Sequence, residues 1–230
     1  NIKPGKDFYW RQFKEYYLNE KFNPNIVNTI DIDSDSIVNQ LGNPTDENFE
    51  RYGMVVGHVQ AGKTGNYSSV ICKAADAGYK FIVVISGTNN NLLRNQTQER
   101  INESFIGQND DGLCGVGLGH KRENKDIPFR MTSDLLDFNK MTGNSLVGAN
   151  FDTMSVPIVL VIKKNATNLN TLIKWLTDQY KDLISQHSML MIDDESDYAS
   201  INTKHHKEKE TRTNGLIRKL LSLFNKSTYV

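Results

Sequence analysis

The chain has 230 residues, of which 27 are Lys or Arg and 27 are Asp or Glu, so its formal net charge is zero. Hydrophobic residues make up 38% of the chain and charged residues 23%, which excludes long-range disorder. The neutral charge also excludes a histone-like or polybasic binder, so any contact with nucleic acid must come from a local patch. The length predicts one α/β-sized domain with an extension.

The sequence predicts neither membrane insertion nor secretion. Its longest apolar runs, Phe81–Ile85 and Val156–Ile162, fall far short of the roughly 20 residues that span a bilayer. Cys72 and Cys114 form no CxxC motif, and we expect two buried thiols in a reducing cytoplasm. We therefore expect a cytoplasmic protein with no membrane partner. Because the chain begins without Met and ends in a predicted strand, we also expect a fragment of a longer protein.

Residues 1–50 are predicted to form an N-terminal helical extension. Aromatic and apolar residues recur there at helical spacing, which predicts a face that docks on the main core. These residues are Phe8, Tyr9, Trp10, Phe13, Tyr16, Tyr17 and Leu18. An alternative role for the same face is a stacking platform for bases or for a partner. A second, short helix is predicted over 34–41, with Asp33 or Ser34 as its cap.

From residue 51, short apolar runs alternate with longer amphipathic stretches. The apolar runs predict strands at Tyr52–Val56, Lys80–Ser86, Val156–Ile162, Met189–Asp193 and from Thr228 onward. The amphipathic stretches predict helices at Gly62–Ala77, Asn90–Phe105, Asn168–Ser185 and Asn214–Asn225. Residues 107–150 are rich in Gly, Asp and Asn and predict mostly loop, with a weak helix over 133–138. The alternation predicts an α/β three-layer sandwich with a mainly parallel sheet covered on both faces.

The first predicted strand leads into Gly57-His58-Val59-Gln60-Ala61-Gly62-Lys63-Thr64, which matches the motif G-x-x-x-x-G-K-[ST]. Its glycines let backbone N–H groups turn inward around a phosphate, and the following helix N-terminus adds partial positive charge. The predicted nucleotide-binding residues are Gly57, Gln60, Ala61, Gly62, Lys63, Thr64 and Gly65. Lys63 is expected to reach the β and γ phosphates of ATP as a catalytic residue, and Thr64 to place its hydroxyl on Mg²⁺.

A second motif follows the apolar run Ser188–Ile192, which ends in Asp193-Asp194-Glu195-Ser196-Asp197. Adjacent carboxylates at the end of a buried strand are costly unless a cation or a donor meets them. Together with the phosphate loop, this predicts that Asp194 holds Mg²⁺ and that catalytic Glu195 orients or deprotonates the attacking water. The alternative is that Asp193, one residue earlier in the chain, is the metal ligand in place of Asp194. Both motifs are expected at strand C-terminal ends, where ligands bind in doubly wound sheets.

These two motifs resemble motifs I and II of superfamily-two helicases and translocases. Four blocks in order resemble the Z-one domain family more closely, whose members are described as endonuclease-like and carry a helicase-type ATPase core. The blocks are Gly53–Tyr67, Ser86–Arg100, Val161–Asn165 and Met191–Asn202. The resemblance covers residues 51–230 and implies a RecA-like P-loop ATPase lobe.

The resemblance implies the first of two RecA-like lobes of an ATP-driven motor that acts on DNA in bacterial defence or restriction. In the family, the strand that begins here at Ser227 continues into a Gly-Tyr-Thr-Ala-Thr motif III, which this chain lacks together with the second lobe and its arginine finger. Such a finger is worth about 10³- to 10⁵-fold in rate, so the chain is expected to bind nucleotide better than it hydrolyses it. Two alternatives stay open: an ATP-dependent endonuclease whose nuclease part lies outside this chain, and a non-motor ATP switch that assembles proteins.

The resemblance also implies contacts with nucleic acid at the ends of the middle strands. The implied residues are Thr88, Arg94, Lys163, Lys164 and Asn165. Side chains of these types suit phosphate contacts, which position a protein without reading sequence. The alternatives are a solvated strand end for the two lysines and a salt-bridged helix face for Arg94.

Overall fold

The computed structural model describes residues 7–56, 63–87, 91–119, 126–146, 151–194, 196 and 211–230. Its strands are β1 (Phe49–Tyr52), β2 (Phe81–Ile85), β3 (Phe129–Arg130), β4 (Ile158–Ile162), β5 (Ser188–Asp193) and β6 (Lys226–Tyr229). They form one sheet in the order β1-β6-β5-β2-β4-β3. Every neighbouring pair of these strands is parallel.

Helices cover both faces of this sheet. The N-terminal part contains α1 (Phe8–Gln12), a π-helical turn (Phe13–Leu18), α2 (Asn19–Lys21) and α3 (Pro24–Val38). The later helices are α4 (Lys63–Ala77), α5 (Asn91–Ile101), α6 (Val116–Gly119), α7 (Lys140–Ser145), α8 (Ala166–Ile184) and α9 (Arg212–Leu221). A second π-helical turn (Asn102–Ile106) continues α5.

Two apolar layers lie on opposite faces of the central strands, because successive strand residues point to opposite sides. On one face, Ile82 and Val84 of β2 pack with the N-terminal helices, α4 and α5. On the other face, Phe81 and Val83 pack with α8 and α9. Every residue of β2 and β4 is buried, which explains why these strands are uninterrupted apolar runs. The predicted α/β architecture with a parallel sheet between two helical layers is therefore confirmed.

The strand before the phosphate loop lies earlier in the chain than predicted. β1 is an edge strand that pairs only with β6 and is largely exposed. Met54, Val55 and Val56 lie beyond it, outside the sheet, and are 77%, 51% and 84% exposed. The predicted strand Tyr52–Val56 is therefore wrong in position, because an apolar run indicates burial only for a strand that is covered on both faces.

The other predicted strands and most of the predicted helices are confirmed, with ends shifted by a residue or two. Helix α9 departs furthest, since it ends at Leu221 instead of Asn225. The weak helix predicted over 133–138 is wrong, and α7 begins just after it, where the Asn139 side chain accepts the N–H groups of Met141 and Thr142. The same region holds the short edge strand β3 and α6, neither of which was expected.

The N-terminal helices pack directly on the main fold. Phe13 and Leu18 are fully buried and Trp10 is partly buried against the same apolar layer, which confirms docking of the aromatic face. The predicted short helix over 34–41 is wrong in its bounds, because residues 34–38 form the last part of α3 (Pro24–Val38). The helix begins earlier, because the Asn23 side chain accepts the N–H of Ile26 and Pro24 occupies the first helical position.

Two smaller findings concern the cysteines and the length of the helices. Cys72 is buried as predicted, whereas Cys114 is partly exposed. None of the helices in the described part of the chain combines the length and the apolar character needed to cross a membrane.

Candidate functional site

The loops after β1, β2, β4 and β5 leave the same edge of the sheet, because all strands are parallel. The next helices along the chain, α4 and α5, lie on one face after β1 and β2, whereas α8 and α9 lie on the other face after β4 and β5. The connection after β2 therefore leaves on one face of the sheet, whereas the connections after its two neighbours, β4 and β5, leave on the other face. Such a reversal opens a crevice at the C-terminal ends of strands, which is where ligands bind in open α/β sheets.

The phosphate loop enters this edge through α4. Gly57, Gln60, Ala61 and Gly62 lie outside the described residues, and of Lys63 and Thr64 only the helical backbone is described. Helix α4 begins at Lys63, directly after the loop, and is 15 residues long. Because it returns the chain from the end of β1 to the start of β2, its N-terminus lies at the edge where the C-terminal ends of the parallel strands lie. The unpaired N–H groups and the helix dipole place partial positive charge there.

Gly65, in the first turn of α4, is buried against the N-terminal helices. A Cβ at this position would lie 3.2 Å from Ile30 Cδ1 and 3.8 Å from Phe22 Cε2. A Cβ would crowd the end of the Ile30 side chain by a few tenths of an ångström, so glycine suits this close packing. The N-terminal helices thereby support the start of the helix that follows the phosphate loop.

β5 ends in two carboxylates with different surroundings. Asp193 continues the row of Met191 on the face of α8 and α9, and its side chain is fully buried. Asp194 follows Ile192 by strand alternation, which places it on the face of α4, and it is half-buried. Its N–H donates to the carbonyl of Ile85 at 3.0 Å, so the ladder continues to this residue. Asp194 and not Asp193 therefore shares a face with the helix after the phosphate loop.

Asp193 is neutralised by Lys164, which the sequence assigned to the surface. The ammonium Nζ of Lys164 lies 2.5 Å from Oδ1 of Asp193, and the two side chains are 1% and 0% exposed. Lys164 Nζ also donates to the backbone carbonyl of Asp194 at 2.8 Å. On the other side, the hydroxyl of Tyr229 donates to Oδ2 of Asp193 at 2.5 Å. Lys164 is therefore not a surface contact for nucleic acid in this structure.

Sequence analysis missed this network of Lys164, Asp193 and Tyr229. The signal that could have found it is strand alternation. Lys164 follows Ile162 by two residues and Asp193 follows Met191 by two, so each shares a face with that buried residue. Opposite charges therefore follow two buried strands on one face of the sheet. Because β2 separates β4 from β5, the backbones of these two strands are about 10 Å apart. Only a long side chain such as lysine can bridge that gap.

Arg94 is likewise placed inside the protein and not on a surface strip. It is 1% exposed. Its Nε donates to the carbonyl of Val161 at 2.9 Å, and its Nη1 and Nη2 donate to the carbonyls of Ser133 and Leu136 at 2.6 and 3.1 Å. Its Nη2 also donates to Oε1 of Gln98 at 2.9 Å. The prediction of a nucleic-acid contact at Arg94 is corrected to a structural role: the guanidinium joins α5, β4 and the loop over 133–136.

Lys163 and Asn165 flank the buried lysine and remain near the surface. Lys163 has a side chain that is 22% exposed, and its Nζ donates to Oδ1 of Asn91 at 2.8 Å. The carboxylate of Asp137 lies 3.9 Å from the same ammonium. Asn165 caps α8 by accepting the N–H of Asn168. Thr88 lies outside the described residues.

The donors at this edge fit Mg²⁺ better than a transition metal. Mg²⁺ is commonly held by one or two carboxylates together with phosphate oxygens and water. The half-buried carboxylate of Asp194 is a ligand of this kind, whereas the side chain of Thr64 and the whole of Glu195 lie outside the described part of the chain. Within the described ranges there is no group of three or more His, Cys, Asp or Glu that could form a complete metal site of its own.

Comparisons with family models, with curated proteins and with solved structures find no match for this chain. The resemblance to the Z-one domain family therefore rests on the four sequence blocks alone. Any statement of function depends on the two motifs and on where the fold places them.

Proposed function

We propose that this chain is the ATP-binding and hydrolysing lobe, with a RecA-like P-loop fold, of a superfamily-two helicase- or translocase-like protein of the Z-one domain family. The substrate proposed for the motor is DNA, in bacterial defence or restriction. One observation carries the proposal: G-x-x-x-x-G-K-T leads directly into α4, and the acidic end of β5 lies at the same edge of the sheet. In this proposal the two halves of the nucleotide site lie at one edge of the sheet, although 131 residues separate Lys63 from Asp194 (194 − 63).

Each half has a defined task in this proposal. Backbone N–H groups of the loop and of the first turn of α4 bind the phosphates, and Lys63 offsets charge on the β and γ phosphates. Thr64 and Asp194 would hold Mg²⁺, which when bound offsets further phosphate charge. Glu195 orients the attacking water and accepts its proton. Asp193 takes no part, because Lys164 and Tyr229 already occupy both of its oxygens.

The test is ATP binding by calorimetry, with phosphate release measured with and without single- and double-stranded DNA. We expect Lys63→Ala to weaken ATP binding about tenfold or more, because a charge-assisted contact with phosphate is lost. The matched control is Lys219→Ala, which removes an exposed lysine of α9 on the opposite face.

Unchanged ATP affinity and turnover in Lys63→Ala, with circular dichroism like that of the wild type, would contradict the phosphate-loop assignment. ATP turnover that is indifferent to DNA would instead favour an ATP switch over a motor.

A further inference from the structure

The acidic turn after β5 is held by a side chain from a strand that is not its neighbour. The order β5-β2-β4 puts β2 between them, and Ile85 of β2 is level with both Asp193 and Ile162. Lys164 anchors its own backbone to β2, since its N–H donates to the carbonyl of Gly87 at 2.8 Å. Gly87 has a positive φ of 59°, which suits glycine and lets the chain turn at the end of β2.

From this anchor, the ammonium of Lys164 meets both parts of the turn. It pairs with the Asp193 carboxylate at 2.5 Å and donates to the Asp194 carbonyl at 2.8 Å. The second bond fixes the peptide that links Asp194 to Glu195. The first removes the free charge of Asp193, which would otherwise be a competing ligand one residue away from Asp194.

We infer that Lys164 is a positioning residue of the nucleotide site: it sets the register of the acidic turn so that Asp194, on the α4 face, receives Mg²⁺. This inference rests on the proposed function. Lys164 is too deeply buried to touch the nucleotide, so it acts through the Asp194 backbone. Outer contacts that orient a metal ligand typically contribute 10- to 100-fold in metal affinity.

The experiment compares Asp193→Asn with the double variant Lys164→Met plus Asp193→Asn, which differ only at residue 164. Lys164→Met alone is unsuitable, because it leaves a buried carboxylate without its cation. For both variants and the wild type, ATP binding is measured by calorimetry over a range of Mg²⁺ concentrations and in EDTA. Hydrogen exchange of the segment that ends β5 is followed without nucleotide.

We expect the double variant to need about tenfold more Mg²⁺ for half-maximal ATP binding, with unchanged affinity in EDTA and faster exchange in the turn. We expect Asp193→Asn to be less stable than the wild type, because it leaves the buried ammonium of Lys164 without its anion. Its Mg²⁺ requirement for ATP binding should nevertheless match the wild type, because Lys164 still donates to the Asp194 carbonyl. Should Asp193→Asn fail to fold, Lys164→Gln plus Asp193→Asn replaces it, since glutamine keeps a donor without a charge.

Two results would overturn the inference alone. If both variants match the wild type in Mg²⁺ dependence and in exchange, Lys164 is only a packing residue. If Asp193→Asn already loses the Mg²⁺ dependence, Asp193 is the metal ligand. A wild-type chain that binds no ATP at any Mg²⁺ concentration would instead refute the proposed function, and this inference with it.

Discussion

The carboxylate of Asp76 in α4 caps α1 by accepting the backbone N–H of Trp10 through Oδ2 at 2.9 Å. Its other oxygen accepts the N–H of Tyr9 at 3.0 Å. Burial raises the pKa of Asp76 to about 7, although the N–H groups of Trp10 and Tyr9 act in the opposite direction, and the charge of Asp7 adds to the rise. The contact between the N-terminal helices and α4 therefore depends on a carboxyl that titrates near neutral pH.

This titration predicts a fall in stability as the pH rises. Because the folded pKa of about 7 lies above the ordinary value of 3.8, the folded chain binds the Asp76 proton more tightly than the unfolded chain does. The contribution of Asp76 to the free energy of unfolding should be complete below about pH 4 and lost by about pH 7, at up to about 1.4 kcal/mol per pH unit. Urea unfolding of the wild type and of Asp76→Asn measures it as the difference between the two proteins. If the wild type instead gained stability relative to Asp76→Asn as the pH rises, the N–H bonds to Asp76 would outweigh the effect of burial.

An ion cluster centred on the buried ammonium of Lys73 holds α3 against α4. Lys73 Nζ lies 2.7 Å from Oδ1 of Asp31 and 2.6 Å from Oδ1 of Asp35, and its side chain is 3% exposed. The same ammonium lies 4.2 Å from the ring centroid of Trp10. Although burial raises the pKa of Asp31, hydrogen bonds from Lys14 and Lys73 outweigh that effect and hold it below its usual value.

We expect Lys73→Met to lower the free energy of unfolding by roughly 2 kcal/mol at neutral pH, because it leaves Asp31 half-buried with one fewer cation. The deficit should shrink as the pH falls through the folded pKa of Asp31, where the carboxyl is protonated. Lys14→Met is the control: Lys14 pairs with the same carboxylate but is 40% exposed, so it should cost less than about 1 kcal/mol. Equal losses at the two lysines in urea unfolding would contradict a special role for burial.

Arg94 provides a prediction that separates a structural arginine from a phosphate contact. Lysine keeps the charge but cannot supply five donors in a planar fork. We expect Arg94→Lys to lower the free energy of unfolding by roughly 3 kcal/mol, because carbonyls of Val161 and Ser133 lose their partners in the interior. A surface phosphate contact would instead tolerate lysine without loss of stability, and that result in urea unfolding would reinstate the first interpretation.

The central strands could be predicted from the sequence because their environment leaves a single pattern. Each residue of β2 and β4 is buried, so the strands are apolar throughout. Edge strands carry no such constraint. Glu50 in β1 and Arg130 in β3 interrupt the apolar pattern, and β1 was misplaced and β3 missed for that reason.

The helix after the phosphate-loop motif and the strand before the acidic turn could be predicted, whereas the surroundings of the neighbouring charged residues could not. Glycine spacing and a terminal lysine are required wherever backbone N–H groups enclose a phosphate. A lysine after a strand, however, has the same sequence signature whether it is solvated or paired. Lys164 finds Asp193 on a strand that is not adjacent, a relationship that exists only once the order β5-β2-β4 is known.

Lys163 is now the cation on which contact with nucleic acid at this edge can be tested. A double substitution of Lys163 and Lys164 would be uninformative, because it would also break the buried pair with Asp193. In the single variant Lys163→Ala, we expect the slope of log K against log salt concentration for single-stranded DNA binding to flatten by about 0.7, which is one phosphate contact. Affinity should fall about equally for all sequences, since phosphate contacts carry no base information.

The carboxylate of Asp137, beside Lys163, offers a variant with the opposite expected effect on DNA affinity. Asp137 lies 3.9 Å from Lys163 Nζ and offsets its charge, so Asp137→Asn should strengthen DNA binding and steepen the salt dependence. Lys174 lies eight residues beyond the start of α8 at Ala166 (174 − 166), which is about 12 Å at 1.5 Å per residue. Lys174→Ala therefore removes an exposed lysine away from the sheet edge and should leave the slope unchanged. Fluorescence anisotropy with labelled oligonucleotides at several salt concentrations measures all three. If Lys163→Ala binds DNA like the wild type at every salt concentration, Lys163 is a solvated strand end, and the ATP switch becomes the better account of the protein.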